Sequence, residues 1–145
     1  MKRHLPDERL VELAHGLLAH EAAVPPGAST DSVFRAFDKV RQPVGTLAGV
    51  AGFRVLLMRA LTLGKAQSAP LTVISVQQDG SLKGFNELSP QVASEAGLVL
   101  MTELLGLLVA FIGDALTMQI VRNAWPELNT FGTAAPGEIK DEPKR

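Results

Sequence analysis

The sequence predicts a mainly α-helical, four-helix bundle-like domain, with a long C-terminal helix and a small β-hairpin or extended arm between helices three and four. Three observations carry this expectation. Apolar residues recur at three- and four-residue spacing over most of the chain, the pattern of amphipathic helices. Only residues 71–85 switch to a short, β-branched pattern with a turn signal inside it. Finally, Ser89-Pro90 and Trp125-Pro126 bracket one long apolar run, in which Glu103 is the only ionisable side chain between Ala96 and Ile112.

The first helix is expected over 7–21, where Leu10, Val11, Ala14, Leu17 and Leu18 form a stripe and Pro6, Asp7 and Glu8 suit an N-terminus. Val24-Pro25-Pro26-Gly27 ends it. Ser29 or Thr30 then caps a short second helix whose buried stripe is Val33, Phe34, Phe37 and Val40. Gln42-Pro43-Val44-Gly45 is expected to break that helix, because proline disfavours helical geometry in the residue before it. Thr46 caps a third helix reaching about residue 65. Its apolar residues (Leu47, Val50, Phe53, Leu56, Leu57, Ala60, Leu61) cover most of its circumference, which predicts a largely buried helix.

Residues 71–76 and 82–85 read as the two strands of the hairpin, with Asp79-Gly80 as its turn. An isolated hairpin is marginal in water and must lie against the helices. Ser89 and Pro90 are the N-cap and first residue of the fourth helix. Continuous over 90–124, that helix would be about 52 Å long. A domain of this size would struggle to cover such a length, so a bend is expected at Gly106 or Gly113, chiefly near Gly113, or else an exposed end that pairs with something. Residues 1–131 form one helical domain on this reading, and 132–145, mixing Pro, Gly and both charge signs, a disordered tail.

The chain has 145 residues, 46% of them apolar, enough for one well-filled core. No cysteine is present, which removes disulfides, thiolate metal sites and cysteine nucleophiles and fits a reducing cytoplasm. Asp7, Glu8, Arg9 and Glu12 fall where a signal sequence needs its apolar core, and the high Ala, Leu, Gly and Val content points to a GC-rich bacterial source. A cytoplasmic location is therefore expected. Net charge of −1 argues against a nucleic-acid binder, and helix three is too apolar to serve as a recognition helix. The apolar run 96–112 falls short of the length a membrane span needs and carries Glu103 near its centre.

Charge is nevertheless segregated. Arg35, Lys39, Arg41, Arg54, Arg59 and Lys65 stand against Asp31 and Asp38 in the middle of the chain, whereas Glu87, Glu95, Glu103, Asp114 and Glu127 stand against Arg122 alone later. Such a distribution either neutralises itself within the fold or makes a two-sided surface suited to head-to-tail association.

Few residues carry chemistry. Glu103, a carboxylate on an apolar helix, is expected to pair with Arg54 or Arg59, or to meet solvent or a partner. Glu12 and His15 have the Glu-x-x-His spacing of carboxylate metal sites and, with Glu103, give an alternative reading as a small metal-binding or catalytic helical protein. They share, however, the face of helix one away from its apolar stripe. His4 and His20 have no partner at useful spacing. No nucleophile motif or phosphate loop is present, and no catalytic residue, metal ligand or cofactor is assigned. Gly106, Ala110 and Gly113 make a small-residue groove on helix four that lets another backbone approach. The function expected is a non-enzymatic protein–protein interaction or assembly module, an adaptor or regulatory subunit. It would act on a protein partner or itself as a homo-oligomer, without nucleic acid or membrane. Its interaction residues are Arg35, Lys39, Arg54, Arg59, Phe85, Glu103, Gly106, Ala110, Gly113 and Trp125, the aromatic and arginine side chains being the usual binding anchors.

Overall fold

A computed structural model describes residues 8–23 and 29–126. The expected start of helix one at Asp7, the terminator Val24-Pro25-Pro26-Gly27, His4 and the tail 132–145 lie outside them. The chain is mainly helical, with a small two-stranded antiparallel hairpin, as the sequence predicts. Helix α1 is Glu8–Ala23, α2 is Ser29–Lys65, α3 is Pro90–Ile112 and α4 is Asp114–Ala124.

Helix α2 corrects the expected break at 42–45. The helix runs through Pro43, and the Thr46 hydroxyl donates to the Gln42 carbonyl at 3.0 Å, as a residue inside a helix does rather than one capping it. An interior proline costs about 3 kcal/mol. Here Val33, Ala36, Phe37, Val40 and Val44 form one buried stripe across it, and that packing outweighs the local preference. The break falls instead at Gly49 (φ 82°, ψ 163°), in a region essentially reserved for glycine. It divides α2 into two arms that converge on the same turns of α3. Val33, before the break, packs so closely on Gly97 that an added Cβ would sit 2.9 Å from its Cγ2. Gly64, after the break, faces Val99, where an added Cβ would lie 3.5 Å from Cγ1.

The helices enclose one core in which Trp125, Phe53, Phe85, Leu17 and Leu100 are fully buried. Between α2 and α3 the chain forms a 3-10 turn (Ala69–Val73), strands β1 (Ser75–Val76) and β2 (Leu82–Lys83), and a second 3-10 turn (Phe85–Glu87). The strands are shorter than expected: Ser75 pairs with Lys83 and Val76 with Leu82, and Leu71 belongs to the first 3-10 turn. The turn is as predicted. Gly80 donates its N–H to the Gln77 carbonyl, while Asp79 Oδ1 accepts from the Ser81 N–H (3.0 Å) and hydroxyl (2.6 Å). Both Ser81 hydrogen bonds hold the Asp79 carboxyl below its usual range.

Ser89 caps α3 as predicted, its hydroxyl oxygen accepting from Val92 N–H at 3.3 Å, with Pro90 in the first turn. Ser89→Ala is expected to lower stability by about 0.5–1 kcal/mol, measured by urea unfolding. The long C-terminal helix is interrupted at Gly113 (φ 90°, ψ 163°), where the kink was expected, whereas Gly106 stays within α3. Gly113 closes one helix by donating to the Val109 carbonyl and opens the next by accepting from Thr117 N–H.

By length and composition alone, 32–65 and α3 are each long and apolar enough to cross a membrane, although the core helix of a soluble protein passes the same test. Half of the most apolar stretch of α3 is buried in the fold.

Candidate functional site: a buried carboxylate cluster and an uncovered helix face

Glu21 is the chemically distinctive residue of the core. The stripe Leu10, Ala14, Leu17 continues onto it one turn later, and its side chain is 2% exposed. A carboxylate so placed needs partners. Trp125 Nε1–H donates to Oε2 at 2.9 Å, Lys39 Nζ lies 2.5 Å from the same oxygen, and Arg35 Nε donates to Oε1 at 3.2 Å. Arg35 also donates to the Glu21 backbone carbonyl at 2.7 Å, satisfying an oxygen near the end of α1. The Lys39 ammonium sits 5.6 Å from the centre of the Trp125 ring, within cation–π range. Burial works to raise the Glu21 pKa. The hydrogen bonds from Lys39 and Trp125, with the Lys39 charge and Arg35, outweigh it and hold the carboxyl below its ordinary value. The cluster therefore clamps the end of α1, the first arm of α2 and the end of α4 together. Beside it lies an open groove of about 590 Å³ lined by Arg35, Lys39, Gln42, Pro43, Thr46 and Asn123.

The second feature is apolar and uncovered. Phe53, Leu57, Ala60 and Leu61 turn the second arm of α2 inward, but its Val50, Val55 and Met58 are 55%, 63% and 43% exposed, as is Leu47 (54%) just before the Gly49 break. The prediction of a largely buried third helix is thus corrected. The core covers one side of the arm, and no other described element covers its outer side. Ala51, Val55, Met58 and Thr62 recur there at helical spacing, flanked by the exposed Arg59 and Lys65. The chain contains no Asp or Glu between Asp38 and Asp79, so this face is free of acids along its own helix.

The remaining expected site residues are dispersed. Arg35 and Lys39 belong to the Glu21 cluster, and Trp125 and Phe85 are buried, Phe85 meeting Phe34 edge to face at 6.1 Å. Neither aromatic offers a surface anchor. Arg54 turns to the hairpin and donates to the Gln77 carbonyl at 3.1 Å. Glu103, 3% exposed, accepts from Gln67 Nε2, a neighbour the sequence did not suggest. Gly106 faces Leu10 of α1, where an added Cβ would lie 3.8 Å from its Cδ1, whereas Ala110 and Gly113 are exposed. The small-residue groove is therefore occupied within the chain at one end only. Glu12 and His15 are exposed on α1, and among the described residues no three His, Asp or Glu side chains are grouped as metal ligands would be.

No protein-family model matches this chain, and neither a curated protein nor a solved structure matches it.

Proposed function

We propose that this chain is a non-enzymatic protein-interaction module that docks its partner on the outer face of the second α2 arm. The observation supporting this is the exposure of Val55 and Met58, neighbours on one helix face with Ala51 and Thr62, with Leu47 and Val50 also exposed on either side of the Gly49 break. Scattered single apolar residues are normal on a surface, but apolar residues grouped on one face with a polar rim are the mark of an interaction site. Arg59 and Lys65 supply that rim, and burial of the patch supplies the driving force at about 25 cal/mol per Å². Positions Arg35, Lys39 and Trp125, first expected at the interface, serve it indirectly by fixing where α2 lies.

A photo-crosslinking residue at Val55, in the purified chain and in host cells, tests this. The expected result is an adduct with one polypeptide identified by its peptides, lost when Met58→Glu is added and absent with the crosslinker at the exposed Ala19. Equal labelling at Val55 and Ala19 would overturn the proposal.

A further inference from the structure

The exposed large apolar residues fall into two patches, and their surroundings differ in charge. Apart from Val73, they are the α2 set already described and the pair Phe111 (70% exposed) and Leu116 at the corner between α3 and α4. The corner lies beside the beginning of α1: Arg9 pairs with Asp114 at 3.0 Å, and Leu10 packs over Gly106. Exposed Glu8 and Glu12 of α1 and Asp114 of α4 thus stand at the same end of the molecule as Phe111. Among the described residues, the Val55–Met58 stretch of the α2 face has Arg59 and Lys65 beside it, whereas Asp79, which lines a groove with Val50 at the other end of the arm, lies against Arg41; the corner has mainly acids.

From this complementarity we infer that the occupant of the α2 face is a second copy of this chain, presenting its Phe111–Leu116 corner. The inference rests on the reading of the α2 face as a docking surface. Two α2 faces meeting side by side in parallel would bring Arg59 and Lys65 toward their own copies with no acid from that helix to offset them, and like charges facing each other suppress association; an antiparallel pair would leave the exposed Phe111 and Leu116 uncovered. The corner offers the opposite sign together with a large aromatic anchor. The two patches do not overlap. Helix α4, about 16 Å long, leads from the corner to Asn123, where the groove reaches Thr46 at the α2 tip. A contact between two different patches leaves one of each free on every pair, so it propagates into a ring or an open chain.

Sedimentation of the full chain tests this with two substitutions at exposed sites, Val55→Glu and Phe111→Ser, each first shown by circular dichroism to fold and melt as the parent does. The parent is expected to grow beyond a dimer with concentration, and less so as salt is raised. Each variant alone should weaken association by about a hundredfold, since a charge or a lost anchor sits at the centre of the contact. Mixed in equal amounts, the two should form a one-to-one dimer that grows no further, because one retains the corner and the other the face. An assembly broken by Val55→Glu but untouched by Phe111→Ser would overturn the head-to-tail contact while leaving the α2 docking face standing. One touched by neither would overturn both. A parent that stays monomeric, or that binds anionic phospholipid vesicles through Val55 instead of itself, would overturn the self-docking inference.

Discussion

Glu21→Ala is expected to lower the unfolding free energy by about 2–4 kcal/mol at neutral pH. The substitution leaves the Trp125 indole N–H, in a side chain with no exposure, without the acceptor it has at 2.9 Å. That orphaned donor carries the larger part of the loss. Arg35 and Lys39 are each about one-third exposed, so water still reaches their charges and their share is modest. Glu21→Gln keeps an oxygen for the indole and should cost less. Acid provides the internal check. Because the folded carboxyl is held below the ordinary value of 4.5, the unfolded chain binds more protons in the window beneath it. The charge-dependent part of the stabilisation is therefore complete above that value and is lost as pH falls through the depressed folded one. Urea unfolding at a series of pH values should show the gap between the parent and Glu21→Gln narrowing in that window. A gap that stays constant into acid, or an alanine variant within about 0.5 kcal/mol of the parent, would sink the account.

What the sequence revealed of this arrangement depended on how local the cause was. The Ser89 cap, the Asp79-Gly80 turn and the Gly113 interruption are set by a few neighbouring residues, and all three were legible. The α2 break was not. Pro43 is the stronger local signal, but the stripe from Val33 to Val44 is held by packing that no short window contains. Gly49, moreover, stands between Gly45 and Gly52 with nothing in the sequence to single it out. Glu21 had a visible clue, since it continues the Leu10–Ala14–Leu17 stripe, but its partners come from α2 and the end of α4, so the cluster exists only once those helices meet. The outer face of α2 was misjudged for a related reason. An apolar circumference predicts burial only if enough other elements are available to cover it, and the described chain covers one side.

Gly49→Ala and Gly45→Ala, four positions apart on one helix, are expected to move stability in opposite directions. Gly45 has ordinary helical geometry and open space around an added Cβ, so alanine there should stabilise by about 0.5–1 kcal/mol. Gly49 has equally open space, but φ 82° with ψ 163° is a conformation alanine adopts only under strain, and the substitution should cost about 1–3 kcal/mol. Sterics outside the backbone are thus the same at the two positions, and the sign is decided by the dihedral angles alone. The strain can be relieved by letting α2 run straight, which alanine favours. Straightening would prevent Val33 and Gly64 from reaching the same turns of α3. Because the chain has no cysteine of its own, spin labels on Gln42→Cys and Thr62→Cys report the arm-to-arm distance directly. The labels should lie well under about 30 Å apart in the parent, the separation along a straight helix, with a longer component appearing in Gly49→Ala. A Gly49→Ala chain as stable as Gly45→Ala would remove the bend from the fold. If the bend holds, the same variant should also disturb the proposed docking surface, since the exposed Leu47 and Val50 flank Gly49 and their placement relative to Val55 depends on the turn.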